Sequence, residues 1–517
     1  MKIRLAAAFA ALAVLAAGCG GGGGSAPADT SEFDIAWDAQ PATLDPVLTT
    51  ATTTRDIMRN VYEPLVVMDE NDQVQPVLAS GWTVSEDKRT ISFTLREGVK
   101  FHDGSTLDSD DVVASLERWI AQTVSGKQFM QGTTVTATGP LTVDLSTPRA
   151  MFTTLQLLAD PSLITPIQPA EVVRNAPAEG VTRFIGTGPY QFVEWVTDQF
   201  IHLRRFEGYA SPPGPASGQA GAKTPVYENL YYHFVSDPST RLAGLQTGEY
   251  DAANALPFDN IAQLQADPNL KTDIGLEGTN VVVFNKRKGV MSSPLKRRAA
   301  NAALNMDEIL RAAFADPQYY QLNGAIAADE ASPWYSDAGL ADYNVHDPDK
   351  ARSLLTQAGY AGEPVRILTT REYADHYNSA VVIEAELKAV GINAQLVVTD
   401  WATLLQNRTD DTAYEAFITG FTPTVLPTRN LFLAGNWPGW TDDPAITRAM
   451  DAITYAPDEA SATAAMGELQ QAVYDYLPIV KFGENSTLMG LAADVDGFTR
   501  QTETGDIFYN VHPKNDA

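Results

Sequence analysis

Six histidines are the first residues to weigh for chemistry: His102, His202, His233, His346, His376 and His512. No two stand four apart, so no His-x-x-x-His or His-Glu-x-x-His pair can share a helix face around a metal. No Gly-x-Ser-x-Gly elbow offers a nucleophilic serine. Asp69-Glu-Asn-Asp-Gln73 begins like a calcium loop, but its sixth position is Val74 where the sharp turn needs glycine. Cys19 is the only cysteine, which excludes an internal disulfide and a cysteine-built metal site. Adjacent carboxylates are common, as 64 acidic residues make inevitable. The inventory favours a protein that is not an enzyme, with no cofactor and no metal of its own. An extracellular hydrolase or a structural lipoprotein stands as the remote alternative.

The formal charge of −28 repels phosphate backbones and excludes nucleic acid as a partner. The N-terminus carries the one membrane signal. Lys2 and Arg4 precede an apolar run, Leu5–Ala17, of thirteen residues. A bilayer core needs about twenty helical residues, so the run is too short to span and reads as an export signal. It ends in Leu15-Ala-Ala-Gly-Cys19, which resembles a bacterial lipobox. Residues 1–18 are expected to be removed as a signal peptide and Cys19 to be lipidated. Residues 19–31, with five glycines after the cysteine, then form a flexible tether. Contact with the membrane is expected through that lipid alone.

The rest of the chain reads as strands and helices in the alternation of α/β layers. Phe33–Trp37 is a first strand. Ile91–Leu95 alternates polar and apolar residues. Asp108 or Ser109 caps a helix whose apolar face carries Val112, Leu116, Trp119 and Ile120. Pro294 opens a helix read as continuous through Ala299, Ala303, Leu304 and Ile309. Asp347-Pro348 opens another, which Gly359 ends. Val365–Thr369, Asn378–Val390 and Ile392–Val398 form a βαβ unit, and Ala413–Gly420 adds a strand.

Leu95-Arg-Glu-Gly-Val-Lys-Phe-His-Asp-Gly104, followed by Asp110-Asp-Val112, resembles the family 5 solute-binding proteins of bacterial ABC importers, the peptide- and nickel-binding type. Asn60-Val-Tyr-Glu-Pro-Leu65, Gly186-Thr-Gly-Pro-Tyr190 and Arg241–Glu249 agree in the same order. Ser105-Thr106 departs from an x-Pro pair that is frequent there. The resemblance spans about residues 33–510. It implies an α/β fold of the periplasmic-binding-protein-like type II (cluster C): two lobes with a hinge and an extra domain inserted in the first. The expected division is lobe I from 32–60, the inserted subdomain from 61–184, lobe I again from 185–276, lobe II from 277–479, and a return to lobe I over 480–517. Hinge segments are expected near Leu276–Thr279 and Ile479–Phe482.

The resemblance further implies capture of a small solute, an oligopeptide or dipeptide in first place, between closing lobes. Delivery is to a permease pair driven by cytoplasmic ATPases. A nickel chelate, an opine or a sugar is the alternative cargo. The expected protein is a monomer on the outer face of the cytoplasmic membrane or in the periplasm. Candidate ligand contacts are Trp37, Tyr373, Trp401, Phe421, Trp437 and Trp440, because strand ends and loops are where clefts form. Arg371 stands where dipeptide-binding members place the arginine that holds a carboxylate. The usual aspartate for a peptide ammonium is missing, since Gly420–Arg429 contains no acid. Asp442, Glu415 or a first-lobe group is left to supply that charge.

Overall fold

The computed structural model describes residues 29–501 and 505–514. The export signal, Cys19 and most of the expected tether lie outside them. Among the described residues no helix is long and apolar enough to cross a membrane.

A twelve-stranded sheet forms the spine. From one edge, its strands are Ala394–Val398, Val365–Thr369, Ala416–Phe421, Leu270–Phe284, Glu484–Ala492, Ala252–Ala253, Glu32–Trp37, Asn229–Phe234, Phe200–Arg205 and Tyr190–Val196. Tyr320–Gln321 and Ile479–Lys481 pair off this path. The two halves meet in one strand. Residues 270–278 of Leu270–Phe284 run antiparallel to Glu484–Ala492, and residues 279–284 run antiparallel to Ala416–Phe421. A bulge between Leu276 and Gly278 marks the change of partner. The segment expected to be a hinge is therefore a continuous, locally irregular strand, because the ladder changes partner without breaking.

The period of two along this strand separates two cores. Val282 and Phe284 face the helices Pro294–Ala303, Met306–Phe314 and Ala374–Ala389. Val281 and Val283 face Trp401–Asn407, Pro444–Thr454 and Met466–Tyr476. With both faces covered, the strand is a near-continuous apolar run. Pro294–Ile309 is two helices, not one. Asn305 interrupts it, because its side chain accepts from Asp307 N and Glu308 N and starts a second helix.

Residues 79–146 hold a separate four-stranded antiparallel sheet, Ala79–Val84, Thr90–Leu95, Thr142–Ser146 and Thr134–Gly139. The helix Ser109–Gln122 buries Val112, Leu116 and Trp119 against it, while Ile120 stays half-buried. Its start is a full capping box. Asp108 accepts from Asp110 N and Asp111 N, and Asp111 Oδ2 accepts from Asp108 N at 3.0 Å. Asp111 Oδ1 also accepts from Ala170 N at 2.8 Å, so this acidic motif holds structure together.

The Gly186–Tyr190 motif does the same by close approach. A Cβ at Gly186 would lie 2.0 Å from Val61 O, and one at Gly188 would lie 2.4 Å from Asn60 O. Thr187 donates to Glu63 at 2.9 Å and Tyr190 N to Asn60 O at 3.0 Å. The two blocks Asn60–Leu65 and Gly186–Tyr190, distant in sequence, are one junction. Tyr190 itself is buried.

Candidate functional site

The two halves close on a cavity of about 90 Å³. One wall comes from Thr50, Ala51 and Thr52 at the start of the helix Thr52–Met58, with Ser162 and Leu163 beside them. The other comes from the end of the strand Ala416–Phe421, from Tyr373 in the segment after the strand Val365–Thr369, and from the loops beyond. In open α/β sheets such strand ends are the usual place for a ligand.

Four of the expected aromatic residues meet there: Tyr373, Trp401, Phe421 and Trp437. Tyr373 sits edge-on to Trp401 with centroids 4.9 Å apart. Phe421 and Trp437 are 5.4 Å apart. Tyr373 Oη lies 3.1 Å from Thr53 Oγ1, and Trp437 Nε1 donates to Thr50 Oγ1 at 3.2 Å, so both tie the second half to the first.

Three expected contacts lie elsewhere. Trp37 lines a neighbouring space of about 70 Å³ that shares Thr52, Tyr373 and Thr422 with this cavity. Its ring is packed into the first-half core against Tyr232. Trp440 is buried beside Tyr414, with the Arg287 guanidinium 4.7 Å from its ring. Arg371 is exposed, lies over Tyr377 at 4.6 Å and donates to its hydroxyl at 2.9 Å. It is no part of the cavity wall.

A different arginine reaches the wall. Arg408 is buried, and burial pushes its pKa down to about 10. No carboxylate among the described residues pairs with it. Its Nη2 donates to Thr50 Oγ1 at 3.4 Å, and its Cζ lies 5.1 Å from the Trp437 ring. A buried guanidinium without a counterion is costly, and an arriving anion removes that cost. Arg408 stands seven positions after Trp401, two helical turns on, so both fall on one face. That spacing was the available signal.

Arg429 adds a second guanidinium, in an ion pair with Asp160. Its Nη1 is buried with no hydrogen-bond partner.

A single carboxylate stands on another part of the wall, with Asp38 lining the neighbouring space. Asp375 lines the cavity and accepts from Asn280 Nδ2. Beside it, His376 is buried, and burial lowers its pKa. Asp38, at the end of the first strand, is also buried, and burial raises its pKa to about 6. It accepts from Asn254 Nδ2 at 3.0 Å, and the negative charge of Asp375 adds to its shift. Glu415 is occupied elsewhere, bound by Arg366 at 2.9 Å, and Asp442 is exposed away from the wall. Neither faces the cavity.

Residues 73–442 match the bacterial extracellular solute-binding proteins, family 5 Middle. The chain belongs to that family. It is 31% identical over 472 residues to a probable peptide ABC transporter periplasmic-binding protein of Sinorhizobium fredii, covering 85% of this chain and 86% of the relative. The fold superposes on the binding protein AgaA of A. tumefaciens R10 in complex with agropinic acid, with TM-score 0.81, 24% identity, and 94% and 99% of the two chains covered. It also superposes on a dipeptide-binding protein from Pseudoalteromonas sp. SM9913 in complex with Met-Leu, with TM-score 0.81, 19% identity and 94% and 100% covered. The family 5 chain is thus a bilobal α/β solute-binding protein of the ABC-importer type, extracytoplasmic as the family is, and its family is one of binding proteins.

Proposed function

We propose that this protein captures a peptide-like zwitterion, with Arg408 taking its anionic group and Asp375 its ammonium, and presents it to an ABC permease pair. The carrying observation is the buried Arg408 guanidinium, which faces the cavity with a threonine hydroxyl and two aromatic rings for company. Asp375 supplies the acid that the Gly420–Arg429 segment lacks, from the start of the helix Ala374–Ala389 rather than from the loop after the strand. Tyr373, Trp401, Phe421 and Trp437 supply the apolar walls. Relatives named for a peptide, for Met-Leu and for agropinic acid are in keeping with a ligand of this class.

The mechanism is population shift. Thr50 and Thr53 belong to one half, and Trp437 and Tyr373 to the other, so a ligand bridging the walls favours the closed form by its contacts with both. Lipid attachment at Cys19 would hold the receptor beside its permease and raise its effective concentration. Native mass spectrometry of protein purified without denaturation identifies the retained solute. A solute lacking any anionic group would sink the assignment of Arg408.

A further inference from the structure

A small space of about 20 Å³ lies behind Leu163, the residue it shares with the cleft cavity. Its walls come from residues 59–67, 158–165, 219, 223 and 509, so the second half contributes nothing to it. That volume holds one body of a water molecule's size or a little more.

The wall is rich in donors that have nothing to meet. Arg59, just past the helix Thr52–Met58, is almost wholly buried. Its Nη2 lies 3.0 Å from Asp56 Oδ1, but Arg55 Nε holds the same oxygen at 2.8 Å. One carboxylate serves two guanidinium groups, and burial raises its pKa. Among the described residues, Arg59 Nε and Nη1 have no hydrogen-bond partner, and neither has the buried Tyr509 Oη. Lys223 Nζ donates to Glu63 at 2.7 Å and lies 5.1 Å from the centre of the Tyr509 ring. An ammonium has three hydrogens, so Lys223 keeps two more to offer. Glu63 also accepts from Thr187 at 2.9 Å and Tyr209 at 2.8 Å.

The local charges do not balance. Arg55, Arg59 and Lys223 are cations, and their carboxylate partners are Asp56 and Glu63 alone. Asp160 is the one acid on the wall, and it is bound by Arg429 and Ser162. Asp506 is bound by Arg500 at 2.6 Å. Water in the space would satisfy the donors and leave the excess charge. A buried cation short of its counterion is costly, and a small anion meets both needs.

We infer that this space is a site for one monovalent inorganic anion of halide size, held by Arg59, Lys223 and Tyr509. It is separate from the solute cavity and too small for a solute. The anion fastens three segments far apart in sequence: the end of the helix Thr52–Met58, the surface loop 211–225, and the C-terminal segment at Tyr509. The loop is rich in glycine, proline and alanine, and Ala220 and Lys223 are its buried points. An anion beside Lys223 therefore adds to what holds it down.

The probes are chloride and bromide. The full chain is melted in rising sodium chloride, with sodium gluconate, too large for the space, keeping the ionic strength constant. Wild-type Tm should rise and then saturate as chloride replaces gluconate, since the folded state alone offers the site. Tyr509→Phe keeps the ring and loses one donor to the ion. It should need about tenfold more chloride for the same rise. Arg59→Gln should abolish the response, and if it does not fold, Tyr509→Phe carries the test by itself. Crystals soaked in bromide should show anomalous density between Arg59 and Tyr509. Equal wild-type Tm in the two salts, or a space that holds only water in the bromide crystals, would overturn the site. So would a chloride response unchanged in Tyr509→Phe, because the ion would then act elsewhere.

Discussion

Arg429 Nε and Asp160 Oδ2 meet at 2.7 Å with both side chains almost wholly buried. The two residues come from opposite sides of the cleft. Removing one partner of a buried pair leaves an uncompensated charge, at about 3–5 kcal/mol. Asp160→Asn is expected to disfavour closure. Solution scattering should give a larger radius for the empty variant than for the empty wild type. Asp160→Leu with Arg429→Met should restore the smaller radius, as apolar pairs of similar volume replace buried ion pairs at little cost. An unchanged radius in Asp160→Asn would mean the pair does not govern closure.

Arg408 and Arg371 predict opposite outcomes. Arg408→Gln should weaken binding of the retained solute by about thirtyfold or more, the cost of truncating one partner of a buried charged contact. The empty variant should melt higher, because a buried, unpaired cation has been removed. Arg371→Gln, on an exposed arginine held by Tyr377, should change neither. Calorimetry and thermal melts read both. The reverse pattern would return the anion to Arg371.

Asp38 predicts a pH dependence. Burial raises its pKa from 3.8 to about 6. The folded state then binds the extra proton between these values. The stabilisation is complete below about 3.8 and is lost as pH rises through about 6. Asp38→Asn is uncharged throughout and keeps an acceptor for Asn254. Its melting temperature relative to wild type should climb across that window and level off above it. A constant difference would show that Asp38 does not titrate there.

Cys19→Ser should release the protein from membranes into the soluble extracytoplasmic fraction while leaving solute affinity unchanged. An unmodified thiol on mature wild type, read by intact mass, would remove the proposed anchor.

What the sequence disclosed follows from how local each cause is. The helix Ser109–Gln122 was legible because its cap, Asp108 and Asp111, lies within four residues of its start. The break at Asn305 is masked in the sequence because the apolar spacing runs on across it, and only the cap reveals a new start. Trp401 was visible at a strand-end turn. Arg408 was not, because an arginine in a helix's last turn ordinarily reaches solvent, and here Thr50 and Trp437 from distant segments enclose it. Arg371 stands at the expected strand end, but Tyr377 decides where its side chain lies. Glu415 looked available until the neighbouring strand brought Arg366 to it.

The strand Leu270–Phe284 has a further consequence. At its bulge Gly278 takes φ 144°, and a Cβ there would lie 2.0 Å from Phe421 O. The strand that joins the two halves thus presses on the backbone of a residue that also walls the cavity. Any side chain at Gly278 would push against the Phe421 backbone and so displace that wall. The bulge and the cavity wall are therefore mechanically one unit, and the bare glycine is what lets both keep their places.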